Sequence, residues 1–333
     1  MKILVTGGAG YVGGTVAALL ASQGHNPIVF DNLSRSRREL LPPGIDFVEG
    51  DLADRALLQN LFADAAKSGH PFEAVLHFAA LIEAGESMHK PEIYFRNNTA
   101  STLSLFEAVI SHGPRRLVFS STAAVYGEPE SVPIPETARL KPTNVYGESK
   151  LLVESMLSWF NQIHGLRYAS LRYFNVAGAP EGPTGVVRGE AHEPESHLIP
   201  LILDVALGRR ASIRIYGEDY PTADGTCIRD YIHVSDLADA HLLALKALEN
   251  HDKLILNLGN GHGFSVREVI ESARRITGHP IPAEVHPRRA GDPAVLVASS
   301  EKAIRELGWT PNYTQLDDIV RTAWAWHRKR YAH

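Results

Sequence analysis

Cysteine is almost absent from this chain, and long apolar runs are missing. Cys227 stands alone, so no disulfide can form within the chain. A membrane helix needs about 20 consecutive apolar residues, and here Asp, Gly or His interrupts every apolar run within about ten. The chain also starts directly on a strand-like segment, Lys2–Thr6, without the layout of a signal peptide. These absences predict a cytoplasmic protein with no membrane segment.

The chain also lacks an excess of positive charge. The chain has 33 Lys and Arg against 38 Asp and Glu, which gives a formal net charge of -5 at pH 7. Proteins that bind nucleic acids or anionic membrane surfaces carry basic patches that neutralise phosphates. The charge balance therefore argues against a nucleic acid or a membrane as partner.

What the chain does have is a regular alternation of short β-branched segments with segments of helical periodicity. Its 333 residues, 44% of them hydrophobic, are enough for roughly two domains and a large core. Helices that alternate with strands cover both faces of a parallel sheet, so the pattern predicts an α/β fold with a doubly wound, Rossmann-like parallel sheet. The predicted strands are Lys2–Thr6, Pro27–Phe30, Ile45–Glu49, Ala74–Phe78, Arg116–Ser120 and Tyr168–Tyr173.

The alternation ends after Asn175. Residues 179–189 are rich in Gly and Pro, and the chain beyond them mixes short strands and helices. A helix over Val234–Leu248 and a strand over Leu254–Leu258 are expected to return to the first domain. The pattern predicts a larger domain of residues 1–176 and 229–263, and a smaller, mixed α/β domain of residues 177–228 and 264–333.

Three glycines mark the turn between the first predicted strand and the first predicted helix. They are Gly7, Gly10 and Gly13. Glycines at this spacing let the backbone turn tightly and approach a pyrophosphate, which then lies at the positive end of the helix dipole. A turn of this kind between a strand and a helix predicts a dinucleotide site.

A carboxylate ends the second predicted strand. Asp31 stands 18 residues after Gly13, where it can accept hydrogen bonds from the adenosine ribose and repel a 2′-phosphate. Arg35, Arg37 and Arg38 follow closely and offer a partner for such a phosphate, although a solvated loop explains them as well. NAD, rather than NADP, is therefore the predicted cofactor.

A second group of polar residues predicts proton chemistry. Tyr146 and Lys150 are four residues apart, so they lie about 40° apart on one face of a helix. A nearby ammonium group favours the ionised form of a phenol, which makes the phenol a usable base. Ser120, Ser121 and Thr122 precede the pair, at the end of the fifth strand. Tyr146 and Lys150 are the predicted catalytic pair.

The segment of residues 192–197 contains two histidines and two glutamates, which raises the question of a metal. In zinc motifs of the helical type the second His follows the first by four residues. Here Ser196 takes that place, and Pro194 would break a helix. We therefore predict no metal site.

Taken together, these segments resemble the extended short-chain dehydrogenase/reductase family and, within it, the UDP-hexose 4-epimerases. The resemblance starts with the glycine turn, Asp31-Asn32, Thr122 and the Tyr146/Lys150 pair, and it extends nearly to Trp309. The most specific stretches lie outside the glycine turn. The supporting stretches are His77–Ala80, Gly85–Ser87, Leu171–Ala179, Gly217–Thr222 and Arg229–Val234.

The resemblance implies NAD held tightly by the larger domain, a UDP-hexose in the smaller one, and a homodimer. The cofactor contacts predicted from the motifs and the resemblance together are Gly7, Gly10, Tyr11, Val12, Gly13, Asp31, Asn32, Asp51, Leu52, Phe78, Ala79, Ala80, Asn97, Lys150 and Tyr173. The substrate contacts that the resemblance implies are Thr122, Tyr146, Asn175, His197, Leu198, Tyr216, Arg229, Arg289, Asp292 and Val295. For the two arginines the alternative is a salt bridge, from Arg229 to Asp230 and from Arg289 to Asp292.

The implied reaction is a reversible oxidation at C4 of the sugar. Tyr146 would remove the proton of the 4-hydroxyl group, Thr122 would bind the reacting oxygen, and Lys150 would orient the nicotinamide ribose. If Val295 lies beside the hexose, its small side chain leaves room for a 2-acetamido group. UDP-N-acetylhexosamines are therefore expected as additional substrates.

Three other functions compete with this one. A nucleotide-sugar 4,6-dehydratase needs a pair of acid/base carboxylates directly after Thr122, where this chain has Ala123 and Ala124. A UDP-glucuronate or UDP-pentose enzyme of the same family is the main alternative. A non-catalytic regulator that senses dinucleotides would need the glycine turn, but it would have no use for Tyr146 and Lys150.

Overall fold

The computed structural model describes residues 1–41, 43–182, 185–186, 188–289 and 292–332. In these residues the strands are β1 Lys2–Thr6, β2 Asn26–Asp31, β3 Asp46–Glu49, β4 Ala74–His77, β5 Arg116–Thr122, β6 Arg167–Tyr173, β7 Asn175–Ala177, β8 Glu181–Gly182, β9 Gly185–Val186, β10 Ile213–Tyr216, β11 Ile228–His233, β12 Lys253–Leu258, β13 Gly263–Ser265, β14 Ala283–His286 and β15 Val295–Leu296.

The α-helices of the described residues are α1 Tyr11–Ser22, α2 Arg55–Lys67, α3 Ala84–Ser87, α4 Pro91–Tyr94, α5 Ser101–His112, α6 Val145–His164, α7 Leu198–Ala206, α8 Val234–Ala247, α9 Val266–Thr277, α10 Glu301–Leu307 and α11 Leu316–Tyr331. None of these helices combines the length and the hydrophobicity that crossing a membrane requires.

The large sheet has the strand order β12-β6-β5-β4-β1-β2-β3. Every neighbouring pair in it is parallel. The chain runs outward from β1 to β3 and then crosses to β4 on the other side of β1, so the direction of winding reverses between β1 and β4. The predicted doubly wound, Rossmann-like parallel sheet is confirmed.

Alternate residues of β1 show that this sheet is buried on both faces. Ile3 and Val5 belong to a core that also contains Leu20 of α1 and residues of α8. Leu4, between them, points to the opposite core, which contains Leu58 of α2 and residues of α5 and α6. A central parallel strand must therefore be apolar at consecutive positions, as the segment after Lys2 is.

A smaller group of strands lies at the carboxyl ends of the large sheet's strands. β11 pairs in parallel with β7 and β15 and antiparallel with β13, and β10 pairs with β14. α7, α9 and α11 form a third core with residues of these strands, to which Ile202, Val269 and Ile319 contribute. This group corresponds to the predicted smaller, mixed α/β part.

The chain crosses between the two groups more than once. β12 pairs with β6 in the large sheet, and α8 packs in its core. β11 lies in the smaller group instead, because Tyr231 pairs with Asn175 of β7. Ile232 of the same strand packs in the core of the large sheet, so β11 joins the two groups. The division into residues 1–176 with 229–263 and residues 177–228 with 264–333 stays a prediction.

A buried ion pair ties α6 to the end of the large sheet. Arg172 Nη2 on β6 and Glu154 Oε2 on α6 are 2.5 Å apart, and both side chains are almost fully buried. Arg172 also donates to the Tyr126 hydroxyl at 2.9 Å, and Ser121 of β5 donates to Glu154 at 2.5 Å. The network fixes α6 against the strand ends that carry Thr122.

We predict that Arg172→Met lowers the free energy of unfolding by about 3–5 kcal/mol, because it leaves a buried carboxylate without its partner. Arg275→Met is the matched control. Arg275 pairs with Asp317 at 2.7 Å on the surface, where such a pair contributes about 1 kcal/mol or less. Urea denaturation of the wild type and both variants measures the losses, and equal losses would contradict the prediction.

Candidate active site

The carboxyl ends of the parallel strands open into a cleft of about 1250 Å³. It extends from the glycine turn between β1 and α1 to Tyr216 and Arg229 in the smaller group. Ligands of doubly wound sheets bind outside the carboxyl ends of the strands, where the winding reverses. In this protein the winding reverses between β1 and β4, so the cleft is the candidate active site.

The glycine turn brings backbone segments so close together that side chains are excluded. Gly7 has a φ of +71°, and a Cβ there would lie 2.5 Å from the Ala79 nitrogen. A Cβ on Gly13 would lie 2.4 Å from the Gly7 carbonyl oxygen. Gly10 is the N-cap of α1 and supplies no side chain to its first N–H groups. This cradle of bare backbone at a helix N-terminus fits a pyrophosphate.

Asp31 is held in place beside this turn. Its carboxylate accepts hydrogen bonds from the backbone nitrogens of Ala9 at 3.1 Å and Leu33 at 2.9 Å. Each of the three arginines that follow is paired with a carboxylate, Arg35 with Glu86, Arg37 with Glu193 and Arg38 with Glu49. A 2′-phosphate would therefore meet a fixed negative charge and arginines that are already paired, which favours NAD.

Tyr146 and Thr122 meet in the middle of the cleft. Asn144 caps α6 by accepting a hydrogen bond from the Gly147 nitrogen at 2.8 Å, and the Tyr146 nitrogen donates to Ser87 Oγ at 3.1 Å. The Tyr146 side chain is half-buried, but its phenol is withdrawn from water. Burial raises the pKa of Tyr146 to about 12. The hydrogen bond with Thr122 lowers this pKa, but by less than burial raises it. The chain's own groups thus place the phenol correctly but leave it protonated at neutral pH.

Lys150 lies one turn further along α6 and is only 2% exposed. Its Nζ donates to the Ser120 carbonyl at 2.8 Å and lies 4.9 Å from the centre of the Phe119 ring. Burial lowers the pKa of Lys150 to about 7. The pKa of Tyr146 is set by its burial, by Thr122 and by Glu83, so a lowering of that pKa by Lys150 stays a prediction. The other protons of Nζ remain for a ligand.

Two arginines line the opposite end of the cleft. Arg289 stacks its guanidinium 4.0 Å above the centre of the Tyr216 ring. Arg229 pairs with Asp292, so neither of the salt bridges considered from the sequence forms in the described residues. Asp230 is buried and accepts backbone N–H bonds at 2.7 and 3.1 Å instead. A guanidinium presents paired donors that match the oxygens of a diphosphate.

Every residue predicted to contact the cofactor or the substrate lines this cleft, with the exception of Val295. Leu296, the other residue of β15, lines the cleft in its place and pairs with Arg229. Consecutive strand residues point to opposite faces of a sheet, so a shift by one position exchanges the two side chains. Of the two β15 residues, Leu296 therefore faces the cleft, and the substrate contact at this position stays a prediction.

Sequence reasoning considered residues 192–197 but did not include Glu190, which joins their two histidines at the edge of the cleft. Glu190 and His192 line it beside the predicted contact His197, and both imidazoles reach Glu190 Oε1 through Nδ1. Burial opposes the charge of the Glu190 carboxylate, but the two histidines bring its pKa below the usual range. The argument against a metal assumed a helix, and residues 190–197 do not form one.

A phenol buried beside a nucleotide cradle suits proton transfer at an alcohol that is oxidised or a ketone that is reduced. The fold and the site thus define a dinucleotide-dependent enzyme of the short-chain dehydrogenase/reductase type. The chain belongs to the NAD dependent epimerase/dehydratase family, whose sequence model matches residues 3–259. The predictions of this family and of NAD are confirmed.

Individual relatives match almost the whole chain. A UDP-glucose 4-epimerase of Streptomyces lividans is 54% identical over 326 residues, which are 98% of this chain and 96% of that protein. The crystal structure of UDP-glucose 4-epimerase from Brucella ovis in complex with NAD has a TM-score of 0.91 at 45% identity and covers 97% of both chains. The UDP-Glc/GlcNAc 4-epimerase from Campylobacter jejuni has a TM-score of 0.84 at 41% identity and covers 98% of this chain and 99% of that one.

We predict that the protein, purified without added nucleotide, releases NAD or NADH and no NADP(H) when it is denatured. The fixed charge of Asp31 is the physical reason, since it lies where a 2′-phosphate would have to sit. Mass spectrometry of the released nucleotide measures the ratio. A released fraction made up mainly of NADP(H) would mean that the loop arginines outweigh Asp31.

Proposed function

We propose that this protein is an isomerase that interconverts UDP-galactose and UDP-glucose by transient oxidation at C4 of the hexose, with NAD as cofactor. The observation that carries the proposal is the contact between Tyr146 and Thr122 in a cleft with a nucleotide cradle at one side and arginines at the other. The identity of 54% to a UDP-glucose 4-epimerase supports the same substrate. A single, buried cysteine supports the cytoplasm as its compartment.

Tyr146 takes the proton of the sugar's 4-hydroxyl group and later returns one to the same oxygen. Thr122 hydrogen-bonds the phenol and can bind that oxygen as well, which aligns the proton transfer. NAD, when bound, supplies hydride transfer at C4 and, in its oxidised form, a positive charge in the cleft. Positive charge favours the phenolate, and this is what a phenol with a pKa of about 12 needs in order to act as a base.

The remaining polar groups hold the two ligands. Lys150, fixed to the Ser120 carbonyl, has protons left for the nicotinamide ribose. Arg229 and Arg289 bind the diphosphate of the UDP-sugar. A UDP-glucuronate or UDP-pentose substrate would use the same groups, so the substrate must be established by assaying each UDP-sugar separately. Conversion of UDP-galactose to UDP-glucose without added cofactor is the primary test.

Tyr146→Phe is expected to lower turnover of UDP-galactose by about 10²- to 10⁴-fold, because it removes the general base. NAD content and UDP-sugar affinity should change little. Tyr168→Phe is the matched control, since Tyr168 is a tyrosine 2% exposed in the core of the large sheet. A coupled assay for UDP-glucose measures turnover, and turnover of Tyr146→Phe at the wild-type rate would refute the assignment of the base.

The side chain at the hexose end of the cleft also predicts a wider substrate range. Leu296 lines the cleft where a tyrosine would occupy more space. The absence of that bulk leaves room for a 2-acetamido group, and we propose that UDP-N-acetylglucosamine and UDP-N-acetylgalactosamine are further substrates. The relative named UDP-Glc/GlcNAc 4-epimerase supports this extension.

Leu296→Tyr should lower kcat/KM for the N-acetylated pair by about 10- to 200-fold while changing the plain hexose pair far less, because added bulk excludes the larger group. Val295→Tyr, one residue earlier on β15, is the matched control and should affect both pairs alike. Kinetics on both pairs measure the effect. Selective loss in the Val295 variant, and none in the Leu296 variant, would return the contact to Val295.

We also propose that two copies associate through α5 and α6. Large apolar side chains are exposed on both helices, since Trp159 and Ile163 of α6 are 59% and 65% exposed and Leu103 of α5 is 38% exposed. Exposed apolar side chains grouped on adjacent helices are typical of an interface, and identical surfaces pair around a two-fold axis.

Ile163→Glu is expected to shift the protein from dimer to monomer, because a charge buried in an apolar interface is unfavourable. Ile304→Glu is the matched control, since Ile304 is 49% exposed on α10, outside the proposed interface. Light scattering after size-exclusion chromatography gives the mass. An unchanged dimer in the Ile163 variant would place the interface elsewhere.

A further inference from the structure

The segment between the smaller strands and α7 gathers two imidazoles and two carboxylates, which we name the His/Glu cluster. Its members are Glu190, His192, Glu195 and His197. One nitrogen or oxygen atom of each residue lies within 4.8 Å of those of the other three. The proposed reaction gives no role to Glu190, His192 or Glu195.

The spacing of these four atoms is that of a tetrahedral metal site. With bonds of about 2.0–2.1 Å from zinc to nitrogen and oxygen, the ligand atoms of a tetrahedron are about 3.3 Å apart. Glu190 Oε1 lies 3.1 Å from Nδ1 of His192 and 2.5 Å from Nδ1 of His197. Glu195 Oε1 lies 3.9 and 3.5 Å from the same two nitrogens. These four distances bracket the tetrahedral value, and the other two pairs of ligand atoms lie within 4.8 Å, so one ion fits among the atoms after side-chain shifts.

The chemistry of the donors selects the ion. Imidazole nitrogens and carboxylate oxygens are both ligands that Zn²⁺ accepts, whereas Mg²⁺ and Ca²⁺ prefer oxygen ligands throughout. Two carboxylates also balance the charge of a divalent cation. Glu190 is 7% exposed, and the two imidazoles supply the positive partner that a buried carboxylate requires; a divalent cation bound between these groups would take over that role. The cluster supplies both the charge and the donors for a divalent transition metal.

Hydrogen bonds around the cluster hold its ligands in position. Glu195 Oε1 accepts the backbone N–H groups of Ser196 and His197, each at 2.9 Å. The Trp326 indole of α11 donates to the Glu190 carbonyl at 2.8 Å. Supporting hydrogen bonds of this kind orient metal ligands in established sites. The loop is therefore braced by α11 on one side and by the N-terminus of α7 on the other.

We propose that the His/Glu cluster binds one Zn²⁺ per chain as a structural site. The ion cross-links Glu190 and His192 to Glu195 and His197, and so closes the loop that leads into α7. His197 is also the N-cap of α7 and lines the substrate end of the cleft. The metal thereby fixes one wall of the cleft and takes no part in the proton transfer at Tyr146.

The test is the zinc content of the full chain with its cofactor bound. The protein is treated with a chelator, incubated with Zn²⁺ alone, desalted and analysed by elemental mass spectrometry. We expect one Zn²⁺ per chain in the wild type. In His192→Gln and in Glu195→Gln the affinity should fall by at least about 100-fold, since loss of a supporting partner alone costs about 10- to 100-fold and here a direct ligand is lost. Co²⁺ in place of Zn²⁺ should give the visible absorption of a tetrahedral ion.

Two further variants make the result specific. His286→Gln removes a histidine that stands 3.7 Å from Glu284 on the surface, and it should keep the full zinc content. His192→Cys replaces one zinc ligand by another and should keep the metal where His192→Gln loses it, which separates lost coordination from lost folding. The proposal is overturned if the wild type retains no zinc, or if His192→Gln retains as much as the wild type.

Discussion

The close approach of bare backbone at the glycine turn is the constraint on which the site depends. Neither Gly7 nor Gly13 has room for a Cβ, so α1 starts directly above the ends of β1 and β4. His77 supports this arrangement from below, because its ring nitrogens contact the hydroxyls of Thr6 at 2.7 Å and Thr102 at 2.8 Å. Burial lowers the pKa of His77 to about 3, so it bridges β1 and α5 as a neutral group. A neutral histidine therefore links the strand that precedes the glycine turn to α5.

The groups proposed to react depend on α6 in a similar way. Tyr146 and Lys150 lie in its first two turns, and the buried pair of Arg172 and Glu154 anchors the next turns to the sheet. Desolvation moves the pKa values of Tyr146 and Lys150 in opposite directions, to about 12 and about 7, and both shifts favour the neutral forms. The chain therefore positions Tyr146 and Lys150 and desolvates both side chains. The charge of the bound ligands then decides whether each group is protonated.

Much of this arrangement could be predicted from the sequence because it depends on local patterns. Strand β1, the glycine turn and the spacing of Tyr146 and Lys150 are all defined within a few neighbouring residues. The contacts that could not be predicted join distant parts of the chain. Leu296 rather than Val295 lines the cleft because of how β15 pairs with β11, and Arg229 of β11 meets Asp292 in the segment before β15. The approach of Glu190 to His192 and His197 could not be predicted either, because the spacing test applied to this segment assumed a helix and did not include Glu190.

The crossing of the chain between its two groups of strands has an evolutionary consequence. β7, β11 and β15 pair with one another in the smaller group. Between β11 and β15, however, the chain forms α8, which packs in the core of the large sheet, and β12, which is a strand of that sheet. The smaller group of strands is therefore not one continuous segment of the chain, so a single recombination event could not exchange it for another. A new sugar specificity on this scaffold must arise by single substitutions in short segments such as β15, while the nucleotide half stays as it is.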